Sequence, residues 1–151
     1  MAITGVQMSV DDRILRGKLR AFNLFAKNQK AAWADIGQTL LTSIIKNFEV
    51  GGRPKWTKLD EKTIERKRKA KKNRVLQWSS DMKNSINSRP TEDGVTIGTS
   101  GIPYAAIHQY GGPCGVNHSV MMLKRPFIVI QPEDKKEMAN IIDRHIERIF
   151  K

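Results

Sequence analysis

Tyr104-Ala105-Ala106-Ile107-His108-Gln109-Tyr110-Gly111-Gly112 packs more chemically particular residues into a short run than any other part of the chain. It reads as a short helix. Pro103 suits the first turn, where a missing N–H costs nothing, and Gly111-Gly112 ends the helix by permitting positive φ. Tyr104 and Ile107 fall on one face with Tyr110 a turn further on, so an aromatic-aliphatic ridge is expected to dock on a core. His108 and Gln109 are then expected to look elsewhere and meet a partner, although His108 reads equally as a hydrogen-bonded boundary histidine.

On the N-terminal side of this helix, Ile86 to Arg89 and Val95 to Thr99 flank Pro90-Thr91-Glu92-Asp93-Gly94, and the Asp-Gly pair predicts a β-hairpin. Before it, Ser79-Ser80-Asp81 offers a cap for a helical turn carrying Met82, Ser85 and Ile86. On the C-terminal side, Val120-Met121-Met122-Leu123 is apolar yet short, so it must fold back or contact a neighbour. Arg125-Pro126-Phe127-Ile128-Val129-Ile130 is bulky and β-branched, which predicts a strand buried on both faces with Pro126 at its start. Pro132-Glu133-Asp134 opens a last helix whose apolar stripe runs through Met138, Ile141, Ile142, Ile146 and Ile149, with His145 at the edge of the core.

The first third is helical by period. Ile14, Leu15, Leu19, Phe22, Phe25 and Ala26 are followed in phase by Trp33, Ile36, Leu40, Leu41, Ile44, Ile45 and Phe48. One long helix bent near Asn28 is expected, two helices being the alternative. Residues 1–8 show no period and read as a loose arm, with Ser9 and Asp12 at capping-box spacing. Gly51-Gly52 breaks the helix, and Trp56 anchors the loop that follows, either capping the core or serving as a contact. The expected architecture is one α+β domain over residues 1–151: a small, mainly antiparallel sheet from the hairpin and the Phe127 strand, packed against the long N-terminal and the C-terminal helices.

Lys and Arg number 27 against 15 Asp and Glu, a net charge of +12, so the surface attracts polyanions or an acidic protein. The charge concentrates in residues 62–74 at the end of a second helix that starts near Asp60. Leu59, Ile64 and Thr63 give this helix only a thin apolar side, and no side of its second half is expected to be buried. Arg66, Lys67, Arg68, Lys69, Lys71 and Lys72 read as a solvated run, as contacts to phosphates, or as an arm docking on an acidic neighbour.

Catalysis finds little support. His108, Cys114 and His118 lack the spacing of a zinc site, and nothing supplies an oxyanion hole or orienting acid for a cysteine nucleophile. No catalytic, cofactor-binding or metal-binding residue and no small-molecule substrate is expected. The single cysteine excludes an internal disulfide, and neither a leader of signal-peptide type nor a membrane-length apolar run is present, so a reducing cytoplasm is expected.

Tyr104-Ala105-x-Ile107-His108-Gln109-x-Gly111-Gly112, preceded by Phe48-x-x-Gly51-Gly52-x-Pro54-x-Trp56 and followed by Arg125-Pro126-Phe127, resembles the virion-morphogenesis, or tail-completion, family of Mu-like and P2-like tailed phages. The three blocks stand in the family's order and the likeness runs from about Asp12 to the C-terminus. Where the family carries a Thr-Gly-x-Leu pattern, this chain has Ser79-Ser80-Asp81-Met82. The resemblance implies a non-enzymatic structural protein that forms a homo-oligomeric ring at the head–tail junction of the virion, after synthesis in the host cytoplasm. It implies as partners the neighbouring head-connector and tail proteins. The basic run itself keeps sequence-nonspecific nucleic-acid binding through residues 62–74, with contact to passing DNA, as the alternative role. The resemblance also implies that Trp56, Tyr104, His108, Gln109, Arg125 and Phe127, which fill motif positions, make subunit or neighbour contacts. The exposed apolar character of Met121 and Leu123 adds those two to the set.

Overall fold

The computed structural model describes residues 13–27, 29–72 and 74–150. The expected arm over residues 1–8 and the capping box at Ser9 and Asp12 lie outside them. In chain order the elements are α1 (Arg13–Lys27), α2 (Lys30–Val50), α3 (Glu61–Lys69), α4 (Asp81–Asn84), β1 (Ile86–Pro90), β2 (Val95–Thr99), α5 (Ala105–Tyr110), β3 (Gly112–Cys114), a 3-10 turn (Val116–His118), β4 (Val120–Met122) and α6 (Pro132–Phe150). The fold is α+β.

The centre is α2. Ile36, Leu40, Ile44 and Phe48 recur every four residues and are all buried, so one stripe of this helix meets the β1–β2 hairpin and α6 together. Close approach to the hairpin depends on Gly37, where an added Cβ would sit 2.9 Å from Val95 Cγ2 and 3.1 Å from Ser88 Cβ. The helix stops at Gly51, whose φ of 75° lets its N–H return to the Asn47 carbonyl. In place of the expected single long helix there are two, α1 ending at Lys27 and α2 starting at Lys30. α1 packs on α6, burying Ala21, and leaves Ile14, Leu19, Phe22 and Leu24 exposed among basic residues.

α6 begins as expected, with Pro132 first and Glu133 and Asp134 in its opening turn. Ile141 is buried against Ile36 and Leu40. His145 does lie at the core's edge, its Nε2 2.8 Å from Asp35 Oδ2 on α2. No described helix is long and apolar enough to cross a membrane.

The hairpin forms as predicted, in a register running from Ile86 opposite Thr99 to Pro90 opposite Val95. A second two-stranded antiparallel sheet joins β3 to β4, pairing Gly112 with Met122 and Cys114 with Val120. Val120 to Met122 therefore folds back, but Val120 and Met121 keep their side chains in solvent.

The strand expected over Arg125 to Ile130 does not form: the segment pairs with none of the described strands. Its backbone groups are occupied by side chains from three other parts of the chain, which leaves residues 126–128 no ladder to join. Burial on both faces also fails beyond Phe127, since Ile130 is exposed.

The expectation that no side of the basic helix's second half is buried is also overturned. Asp60 caps α3 by accepting from Thr63 N at 2.8 Å, and one turn from the helix end Lys67 is only 8% exposed. Its ammonium lies 5.5 Å from the centre of the Trp78 ring and donates to the Arg74 carbonyl at 2.8 Å, so the buried charge is hydrogen-bonded and meets an aromatic face. After α3 the chain takes positive φ at Lys71, Leu76 and Ser80 before α4. Ser80 has φ 66°, a left-handed conformation that glycine adopts without strain, and it stands at the glycine of the Thr-Gly-x-Leu pattern.

Candidate functional site

Three stretches far apart in sequence meet at one corner of the molecule. Phe48 packs its ring against Trp56 at 5.6 Å and Phe127 at 5.4 Å, burying all three. Gly52 makes room for the indole, because a Cβ there would fall 2.5 Å from Trp56 Cδ1. Trp56 Nε1 donates to the Pro126 carbonyl at 2.7 Å, and Asn47 Nδ2 donates to the Phe127 carbonyl at 2.9 Å. From α5, Gln109 Oε1 accepts from the N–H groups of Phe127 at 2.9 Å and Ile128 at 3.1 Å, while its Nε2 donates to the Ile128 carbonyl at 3.0 Å. The neighbouring Arg125 N–H donates to the His108 carbonyl at 2.7 Å.

Arg53 closes the other flank. Its guanidinium reaches Asn47 Oδ1, the Ser43 carbonyl and hydroxyl, and Glu133 Oε1, all at 2.6 to 2.8 Å. Asp134 Oδ2 accepts from Ser43 Oγ at 2.9 Å and from the Gln131 N–H at 2.8 Å, so the start of α6 is bound to α2 through the same network.

The geometry of α5 reverses the sequence reading. Tyr110 is 78% exposed and Tyr104 is partly exposed, whereas His108 and Gln109 turn inward. The reason is that Gln109 finds three backbone partners and outweighs a tyrosine whose hydroxyl is better satisfied in water. His108 Nδ1 is buried and meets no partner among the described residues. Burial, and then the charge of Arg125, hold the imidazole below its ordinary pKa of 6.5.

Of the residues expected to make contacts, Trp56, Arg125 and Phe127 are thus buried inside the protomer, where they join the motif blocks to one another. Tyr104, Met121 and Leu123 are exposed. They form one lip of a groove of about 640 Å³ that runs between α3, α4, α5 and β4. The far side carries Lys67 and Trp78, a residue that sequence reasoning passes over. Trp78 lies under Lys67 Nζ at 5.5 Å and Arg66 Cζ at 5.1 Å, a cation–π contact whose only trace in the sequence is a tryptophan just beyond a basic run. Of the six basic residues singled out, Arg66, Arg68, Lys69, Lys71 and Lys72 are exposed, and Lys69 pairs with Glu65 at 2.9 Å.

Arg125 closes the floor of the groove. It is 5% exposed and donates to the carbonyls of Thr57 at 3.0 Å and Lys58 at 3.2 Å. Burial lowers the pKa of Arg125, with Asp60 opposing, and burial lowers that of Lys67, with Lys72 adding to the effect. Among the described residues neither cation is paired with a carboxylate, and no group of three or more His, Cys, Asp or Glu could hold a metal ion. Cys114 is a half-buried free thiol in β3.

Comparison with known proteins fits the convergence of the three blocks. "Mu-like prophage FluMu G protein 2" of Haemophilus influenzae (strain ATCC 51907 / DSM 11121 / KW20 / Rd) is 33% identical over 116 residues, which cover 77% of each chain. No solved structure matches the chain. The sequence model of the phage virion morphogenesis family matches residues 10–147, and the chain belongs to that family, whose role is phage assembly.

Proposed function

We propose that the protein is a non-catalytic structural subunit that closes into a homo-oligomeric ring at the head–tail junction and helps join tail to head. The observation that carries this reading is the presence of two separate apolar surfaces on a chain of 151 residues. One is the Leu19 and Phe22 face of α1, and the other is the Tyr104, Met121 and Leu123 lip. Head-to-tail contacts repeated around an axis bury two different surfaces of each subunit at once, which a twofold contact does not require. Trp56, His108, Gln109, Arg125 and Phe127 act from inside, by holding α5 and the following segment in position behind the lip.

Light scattering on the purified protein tests the ring. A mass several times that of the 17.2 kDa chain is expected, falling toward the single chain when Met121 and Leu123 are both changed to Ser with the circular-dichroism spectrum unchanged. A monomeric native protein, alone and with neighbouring virion proteins, would overturn the reading. A second reading, sequence-nonspecific binding of nucleic acid, rests on the exposure of Arg68, Lys71 and Lys72 together at the end of α3.

A further inference from the structure

The groove beside α3 combines features that the ring does not call for. Its walls include Met82, Met121, Met122 and Leu123, flexible apolar side chains that adapt to an inserted group. Its buried charged members are two cations, Lys67 and Arg125, hydrogen-bonded to carbonyl oxygens, with Lys67 also beside the Trp78 ring. A buried cation with no carboxylate in direct contact draws an anion into its neighbourhood, because the low surrounding polarisability leaves its field poorly screened. Lys58, Asp60 and Asp81 also line the groove; the charge of Asp60 offsets part of that of Arg125 while its oxygens cap α3, and Asp81 accepts from Ser79 Oγ, so Lys67 is the less compensated of the two buried cations. Two wall residues, Leu76 and Ser80, hold positive φ, so the concavity is kept at a local conformational cost.

We propose that the interior of this groove, behind the lip, is the docking site for an acidic, apolar-anchored segment of a different protein, with an apolar side chain seated between Met82 and Met122 and carboxylates on the side of Lys58, Lys67 and Arg125. The proposal rests on the reading that the chain works by docking on other virion proteins, and not on its forming a ring. In the ring the neighbouring subunit covers the outer lip at Tyr104, Met121 and Leu123, but a second copy is a poor occupant of the groove's interior. The exposed apolar face of α1 stands among Lys18, Arg20 and Lys27 with no acid in the helix, so it would bring cations to cations. The acidic tip of the hairpin, Glu92-Asp93, has no apolar residue to seat. Duplex DNA is a poor occupant too, since a backbone phosphate cannot reach cations that are 8% and 5% exposed, whereas a side chain can. A face of the Trp78 ring is already engaged by Arg66 and Lys67 and is closed to a stacking base.

The methionines give a direct test, because three of the six line the groove and Met138 lies on α6, away from it. The full chain, labelled at methionine methyl carbons, is titrated with a synthetic amphipathic peptide of leucine and glutamate, with its glutamine counterpart, and with a short DNA duplex. The acidic peptide is expected to shift Met82, Met121 and Met122 and leave Met138 in place, and the glutamine peptide to bind about tenfold more weakly. Lys58→Gln and Lys67→Met should each weaken the acidic peptide, whereas Arg20→Gln with Lys27→Gln on α1 should not. Lys58 is exposed, so its variant reports even if the Lys67 variant fails to fold.

Shifts absent from the three groove methyls, or equal affinity for the two peptides, overturn the proposal. So does a duplex that moves the same methyls more strongly than the acidic peptide. Concentration-dependent shifts of Met82 and Met122 without peptide would assign the groove's interior to a second copy. Ring formation is read separately by light scattering, so either reading can fail without the other.

Discussion

The carboxamide of Gln109 meets Ile128 at both its N–H and its carbonyl, at 3.1 and 3.0 Å, as a residue on an adjacent strand would. Gln109→Ala would strand the N–H groups of Phe127 and Ile128 and the Ile128 carbonyl in a half-buried place. The expected loss is on the order of 3 kcal/mol in urea unfolding. Gln109→Glu keeps the acceptor, loses the donor and adds a charge, so it should also destabilise. A variant as stable as the parent would show that water replaces the amide.

Ser80 offers the opposite sign. Its left-handed backbone is strained for any residue with a Cβ, and its side chain makes no capping bond to α4. Ser80→Gly is expected to stabilise the fold by about 0.5–1 kcal/mol, the relief of strain exceeding the extra entropy of a glycine in the unfolded chain. Thermal unfolding decides it, and a lower midpoint would mean the hydroxyl contributes more than the backbone loses.

How much of this is legible in the sequence varies with the kind of bond. α2, the β1–β2 hairpin, α3 and α6 follow from apolar period, an Asp-Gly turn, an Asp60 cap and a Pro-Glu-Asp start, all local signals. Residues 126–128 look like a strand because Phe127 and Ile128 have strand side chains, yet their backbone partners are the side chains of Gln109, Asn47 and Trp56, which no periodicity announces. The six residues of α5 are too few for a period to fix which face is inside, and Tyr110 stands on the face opposite to the one its spacing suggests. Lys67 escapes notice because a buried lysine differs from an exposed one only through a tryptophan eleven residues later.

Acidification should weaken the fold through His108. Its folded-state pKa lies below the unfolded value of 6.5, so the unfolded chain binds the extra proton first. Stability is full above that value and falls as pH drops from there toward the folded pKa, levelling off below it. Replacement of His108 by Gln is expected to remove this part of the pH dependence of urea unfolding. An unchanged slope on the acid side of pH 6.5 would assign it to other groups.

The basic end of α3 separates its two readings by salt. If Arg68, Lys71 and Lys72 bind phosphates, changing all three to Gln should reduce the dependence of log affinity for DNA on log salt by about 0.9 for each phosphate no longer neutralised, with head–tail joining intact. We expect the other outcome: joining impaired and little DNA affinity to lose. All three side chains are exposed, so the fold itself should be unaffected.

Arg125 decides how the molecule carries a pull. Its guanidinium grips the carbonyls of Thr57 and Lys58, immediately before the Asp60 cap of α3, and its own N–H is tied to His108 on α5. Tension applied to the basic helix is therefore passed not only along the covalent chain but also through this side chain and the Trp56 indole into residues 125–128, and through Asn47 into the middle of the fold. That load path consists of hydrogen bonds from side chains to carbonyls arranged as a knot, so traction is shared among several short links instead of unzipping a ladder one rung at a time.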